Sequence, residues 1–163
     1  MAGCAGAVNG MDPFDKRKTD AVWQRVAAAP SEPEPLPEKM DLMLPLSTEL
    51  QVTGALYLQL AGRMERQTME NFARQTRQAA ACLRGLWQFA GHGAARPEAQ
   101  GFPGMQGVRE GLLLAISREQ AHQKALVRLP MGGGITQMLA NESLHRCKTL
   151  LMILGSRTPP SQL

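Results

Sequence analysis

Residues 139–154, LANESLHRCKTLLMIL, decide the fold because they combine a helical pattern with two ionisable side chains. Glu142 and His145 are three residues apart, so both project from the same side of a helix, one turn from each other. A buried carboxylate needs a compensating partner, because moving it out of water costs several kcal/mol. We expect the buried face of this helix to be the line Ile135, Met138, Glu142, His145, Thr149 and Met152.

A second stretch, SREQAHQKAL at residues 117–126, carries the same spacing in Glu119 and His122, which fall on the expected buried line Leu112, Ala115, Glu119, His122 and Leu126. Glu49 falls on the apolar face of a helix that starts near Ser47, so we expect it to point inward as well. Carboxylate and imidazole groups together suit iron, manganese or zinc. The sequence therefore predicts a metal site, whose candidate ligands are Glu49, Glu119, His122, Glu142 and His145.

Two other interpretations of these residues stay open. Each Glu–His pair could be a buried ion pair without a metal, or the helices could turn these side chains toward a solvated edge. A single Glu-x-x-His on a helix often arises by chance. Two such pairs on facing helices, together with Glu49, strengthen the metal interpretation.

Four helical segments separated by glycine- and proline-rich links predict an all-α fold, an antiparallel four-helix bundle with one crossover, over residues 46–155. Ser47 is the expected N-cap of the first helix, and Gly91 the residue that follows the second. Gly155 is the expected C-cap of the fourth. The expected helices cover about residues 47–64, 65–90, 105–129 and 135–154.

The remaining sequence is assigned to flanking segments. Before the bundle we expect a disordered N-terminus at residues 1–12, a short helix at 13–29 and a proline-rich linker at 30–45. The linker contains SEPEPLPEK, whose prolines cannot hold a helix. A C-terminal tail covers residues 156–163.

The composition is that of one globular helical domain. The chain has 163 residues, a formal net charge of +4, 44% hydrophobic residues and only 4% aromatic residues. No stretch reaches the roughly 20 apolar residues needed to cross a bilayer, and the N-terminus lacks a secretory signal pattern. The three cysteines form no CxxC pair, and the arginines are dispersed over helical surfaces. We therefore expect a cytoplasmic protein without membrane or nucleic-acid partners.

Three stretches of the chain resemble the ferritin-like superfamily, and within it the rubrerythrin-like branch. They are residues 47–64 (STELQVTGALYLQLAGRM), 117–126 and 139–154. In this motif two helices of a bundle each give one Glu, and the other two each give a Glu-x-x-His. The resemblance implies that Glu49 and Glu119 are the single carboxylates and that Glu142 and His145 form one Glu-x-x-His. It also implies iron as the cofactor and, if the site is active, an oxidoreductase that handles iron or peroxide.

The second helix departs from the pattern of this family. Residues 74–86, RQTRQAAACLRGL, have Thr76 and Ala79 where the resemblance implies the other Glu-x-x-His, and neither side chain offers a carboxylate or an imidazole. His122 stands where many rubrerythrins carry a further Glu, and we hypothesise that it partly replaces the missing imidazole. A reduced, mononuclear site would then remain, open to water or substrate beside Thr76 and Ala79.

Two functions therefore stay open at this point. One is a rubrerythrin-like protein with a reduced site for iron, manganese or zinc. The other is a non-catalytic helical interaction or scaffold protein that has lost metal binding and forms a homodimer. The ten methionines fit either function, since methionine fills a core or supplies a soft surface for a partner.

Overall fold

Four helices make up the described part of the chain. The computed structural model describes residues 40–93, 101–129 and 134–157, and no strand occurs among them. This confirms the all-helical prediction. Within these ranges, no helix combines the length and apolarity that a membrane span requires. The helices are α1 (Met43–Ala61), α2 (Arg66–Phe89), α3 (Val108–Arg128) and α4 (Gly134–Arg157).

The start of α1 differs from the prediction. It lies at Met43, four residues before Ser47, inside the segment expected to be a linker. Pro45 falls in the first turn of the helix, where its missing N–H costs nothing because that group has no intrahelical acceptor. The Ser47 hydroxyl does not cap the helix and instead donates to the carbonyl oxygen of Ala80 at 3.0 Å. The expected segments at 1–12 and 13–29 lie outside the described residues.

Glycine marks one predicted helix end correctly and the other wrongly. Gly91 follows α2 with φ at +90°, the left-handed conformation that favours glycine after a helix. Gly155 lies inside α4, which continues to Arg157, so the predicted C-cap is wrong. A glycine in a helix costs only about 1 kcal/mol relative to alanine, which is too little to end a helix by itself.

The helices pack as two pairs. α1 packs most extensively on α2, α3 packs on α4, and α1 also contacts α3. The buried apolar side chains form two separate clusters. The Tyr57 cluster includes Leu56, Tyr57, Leu60, Met69, Phe72, Ala73, Leu112, Ala115, Ile116, Cys147 and Leu150. The Leu50 cluster includes Met43, Leu46, Leu50, Ala79, Ala80, Leu83, Leu126, Leu139 and Ala140.

A buried polar layer separates the two clusters along every helix. Each helix contributes at least one of its members, at a sequence position between its residues of the Tyr57 cluster and those of the Leu50 cluster. Buried polar groups are tolerated only when they find partners, so the hydrogen bonds and ion pairs of this layer determine which chemistry the interior can support. Its members are Thr53, Thr76, Glu119, His122, Ser143 and Arg146.

The buried face of α4 is not the predicted one. The expected line through Ile135, Met138, His145 and Met152 faces outward, and each of these residues is exposed. α4 carries apolar residues on both of its faces, so helical spacing alone does not decide between them. The residues that α4 does bury are Thr136, Leu139, Ala140, Ser143, Arg146, Cys147 and Leu150.

Gly54 sets the close approach of α1 to α2. A Cβ atom placed on Gly54 would lie 3.1 Å from the Thr76 hydroxyl oxygen and 3.4 Å from the Ala73 carbonyl oxygen. Only the absence of a side chain lets the two backbones lie this near. Gly85, in contrast, has no heavy atom within 4 Å of such a Cβ.

We expect Gly54→Leu to lower the free energy of unfolding by about 1–3 kcal/mol or more, because the new side chain has no room between α1 and α2. Gly85→Leu is the matched control and should raise it by about 0.5–1 kcal/mol through helix propensity. Urea unfolding followed by circular dichroism measures both. Equal effects of the two substitutions would contradict the close packing.

Candidate functional site

An ion pair between α3 and α4 occupies the polar layer. Arg146 Nε donates to Glu119 Oε1 at 2.9 Å, and Arg146 Nη2 donates to Glu119 Oε2 at 3.1 Å. The side chains are 1% and 0% exposed, respectively. This is the two-point geometry in which a guanidinium fork matches a carboxylate, and it is the strongest form of such a pair.

The other helices complete the network around this pair. From α1, the Tyr57 hydroxyl donates to Glu119 Oε1 at 2.7 Å. From α2, Gln75 Oε1 accepts from Arg146 Nη1 at 3.5 Å, and within α4 Ser143 Oγ accepts from Nη2 at 3.0 Å. A side chain from each of the four helices therefore meets at one point.

The network decides the protonation state of Glu119. Burial raises the pKa of this carboxyl, but the nearby His122 imidazole, the Arg146 guanidinium and the Tyr57 hydroxyl outweigh burial and bring the pKa to about 2. Burial and the negative charge of Glu119 raise the pKa of Tyr57 well above its ordinary value. Glu119 is therefore a carboxylate at neutral pH, and Tyr57 is a neutral donor.

His122 lies beside this pair and helps to lower the pKa of Glu119, although it makes no hydrogen bond of ordinary length to the carboxylate. Its Nδ1 atom is 3.9 Å from Glu119 Oε2, which is too far for a hydrogen bond, and it has no other partner. His122 itself is buried.

Thr76 occupies one of the two α2 positions where the ferritin-like pattern would have Glu-x-x-His. Its hydroxyl donates to carbonyl oxygens of its own helix, those of Phe72 and Ala73. The Thr76 hydroxyl is therefore satisfied within α2, at the close approach to Gly54 of α1.

The structure brings together two of the five predicted metal ligands, Glu119 and His122. Glu49 is exposed and accepts from Arg118 Nη1 at 2.6 Å on the surface. The Glu142 side chain is 42% exposed and its Oε2 lies 4.0 Å from Arg146 Nη1. His145 is exposed on the outward face of α4.

This arrangement does not fit the metal ligand set that the resemblance implies. Among residues 40–93, 101–129 and 134–157, no three His, Cys, Asp or Glu side chains are grouped so that they could hold a metal ion. The one deeply buried carboxylate of the polar layer, Glu119, is already matched by Arg146. The metal site stays a prediction from the sequence.

Sequence reasoning missed Arg146. A signal for it exists, because Leu139, Ser143, Arg146 and Leu150 are spaced by four, three and four residues and also form a helical line. An arginine on an apolar line is unfavourable unless a carboxylate faces it. That carboxylate, Glu119, was identified on α3, but as a ligand and not as the partner of an arginine.

Comparison with known proteins adds no relative: the chain matches no protein-family model, no curated protein and no solved structure. The likeness to ferritin-like proteins therefore rests on the motifs of the sequence.

We expect Arg146→Leu to lower the free energy of unfolding by about 3–5 kcal/mol, because it leaves the Glu119 charge buried without a counter-ion. The double variant Arg146→Leu, Glu119→Leu should recover most of this loss. Arg118→Gln, which breaks an exposed pair, is the control and should cost about 1 kcal/mol or less. Urea unfolding curves test all three, and a double variant as unstable as the single one would contradict the pairing.

The stability should depend on pH through Glu119. Its pKa in the folded protein, about 2, lies below the ordinary value of 4.5. The stabilisation by the pair is therefore complete above the ordinary pKa and is lost as the pH falls toward the folded pKa. At acidic pH, we expect the free energy of unfolding of Glu119→Gln to fall less steeply with decreasing pH than that of the wild type; this part of the curve is the acid limb. Glu49→Gln, at an exposed pair, should retain the wild-type limb, and identical curves for Glu119→Gln and wild type would contradict the assignment.

Proposed function

We propose that this chain is a non-catalytic helical interaction protein that forms a homodimer through the outward face of α4. The observation that carries the proposal is the set of exposed apolar side chains on α4, together with a self-complementary order of charges about His145. The buried polar layer supports it because its carboxylate, Glu119, is already paired with Arg146.

Charge compensation at Glu119 disfavours a metal-centred reaction. The Glu119 carboxylate is ionised and paired in two places with Arg146. A divalent metal ion bound to Glu119 would have to displace the Arg146 guanidinium. The guanidinium would then remain buried without its counter-ion. Such a loss costs about 3–5 kcal/mol before any metal affinity is gained. The same position is therefore better described as a structural ion pair.

The proposed architecture is an antiparallel bundle with ferritin-like connectivity. Along α1 and α4 the chain passes from the Leu50 cluster to the Tyr57 cluster, whereas along α2 and α3 it passes in the reverse order. The contact between Ser47 and Ala80, at the start of α1 and toward the end of α2, supports this arrangement for the first pair. In this proposal the bundle has the connectivity of ferritin-like proteins, with an arginine in place of a metal at its centre.

Five of the ten exposed large apolar residues in the described part of the chain lie on α4. Met152 is 75% exposed and Met138 52%, and Leu151, Leu144 and Ile135 are also exposed. Exposed apolar residues scattered singly are normal, whereas five on one helix make its exposed surface a candidate for interaction. Methionine adapts its shape to a partner, which makes it frequent on such surfaces.

The order of residues on this face favours a second copy of the same chain as the partner. Two helices related by a two-fold axis at His145 bring each residue before His145 opposite the residue equally far after it. Met138 then faces Met152 of the second copy, since both lie seven positions from His145. Glu142 faces Lys148 of the second copy, since both lie three positions away. An isologous interface requires this self-complementarity, which places opposite charges together twice.

We expect Glu142→Lys and Lys148→Glu each to weaken the dimer at least tenfold, because each places like charges opposite each other. An equimolar mixture of the two variants should restore dimerisation, since lysines on one chain then face glutamates on the other. Sedimentation equilibrium of wild type, each variant and the mixture measures this. Leu113→Lys, at an exposed position on α3, is the control and should leave the dimer unchanged.

Two outcomes would overturn the proposal. A monomeric wild type at high concentration, or a mixture that stays as weak as the single variants, would exclude the two-fold interface on α4. Elemental analysis of the purified protein provides the second test. Stoichiometric iron, manganese or zinc, with a loss of thermal stability on chelation, would favour the rubrerythrin-like function instead.

A further inference from the structure

A cleft lies between the first turns of α1 and the second half of α3. Its volume is about 440 Å³, within the range of small-molecule sites. Apolar side chains form most of its wall: Leu42, Pro45, Leu46, Ala121, Ala125 and Leu129. No α4 residue lines it, so the cleft is separate from the surface proposed for the dimer.

Two buried nitrogen atoms without partners belong to the residues that line this cleft. They are His122 Nδ1 and Arg118 Nε, and in the described part of the chain no other buried side-chain nitrogen or oxygen lacks a hydrogen bond. His122 is 3% exposed. Both residues lie on α3 one turn apart and both belong to the cleft wall. Buried polar atoms are nearly always paired, so two unpaired ones at one cleft indicate an acceptor group supplied from outside the described residues.

The charge of the cleft favours an acceptor that is an anion. Arg118 and Arg128 line it against one carboxylate, Glu49, which binds Arg118 through Nη1 and leaves Nε unpaired. Glu119, near His122, does not change this balance because Arg146 compensates it. The wall thus offers a net positive charge beside an apolar surface.

We propose that this cleft binds a small amphipathic monocarboxylate, of the type of a medium-chain fatty acid. Its carboxylate accepts from Arg118 Nε and from the His122 ring, and its hydrocarbon chain lies against the apolar wall. A neutral polar ligand would leave the positive charge uncompensated, and an inorganic anion would leave the apolar wall in contact with water. The amphipathic acid satisfies both parts of the surface.

Decanoate is the probe for the test, with decanol as the matched neutral ligand. In methyl-labelled full-length protein, we expect saturable shifts of the Ala121 and Ala125 methyl signals on addition of decanoate, and at least tenfold weaker binding of decanol. Arg118→Gln should weaken decanoate at least tenfold while changing decanol little. Ala125→Phe fills the cleft and should abolish binding of both ligands.

Control variants keep the test decisive. Val127→Phe, at an exposed position outside the cleft on α3, should bind decanoate like the wild type. If Ala125→Phe fails to fold by circular dichroism, Ala121→Leu takes its place. Absence of shifts with decanoate would overturn the proposal. Equal affinity for decanol, or full binding by the filled variant, would overturn it as well.

Discussion

The buried pair of Glu119 and Arg146 is the constraint on which this structure depends. Both side chains are withdrawn from water, which is tolerable only because their two-point contact is completed by Tyr57, Ser143 and Gln75. The pair lies between the Tyr57 cluster and the Leu50 cluster, which both contain leucine, alanine and methionine. Without the pair, little would distinguish the packing surface of one cluster from that of the other. Since one side chain from each helix meets there, a shift in the register of any helix would leave a buried charge without its partners.

The ion pair of Glu119 and Arg146 also bears on which parts of the molecule are open to ligands and partners. A carboxylate already matched by a guanidinium offers little to a cation, so the interior acts as a structural centre. What remains for recognition lies outside it. The outward face of α4 carries exposed methionines and the charges of Glu142 and Lys148, while residues of the cleft between α1 and α3 carry the unpaired nitrogens of Arg118 and His122. These two surfaces are separate, so a partner on one leaves the other accessible.

The helices were predictable from the sequence where their apolar residues occupy one side. Spacing alone predicted the four helices, and the buried line of α3, including Glu119 and His122, is confirmed. Helical spacing did not predict the buried side of α4, because this helix carries apolar residues on both sides. The side that is buried is the one that brings Arg146 to Glu119. A long-range partner of this kind cannot be derived from the pattern of one helix. Glu49 is exposed for a related reason, because Arg118 of α3 meets it at the surface.

The most direct test of this account is a nitrogen–proton correlation spectrum of the arginine side chains in the presence of Zn²⁺ or Fe²⁺. The account predicts that the Nε–H of Arg146 exchanges with solvent far more slowly than those of the surface arginines. It also predicts that an excess of either metal leaves the Arg146 signal unchanged and that Glu119→Gln removes its protection. Rapid exchange of every arginine Nε–H, or displacement of the Arg146 signal by the metal, would contradict the claim that an ion pair holds the centre.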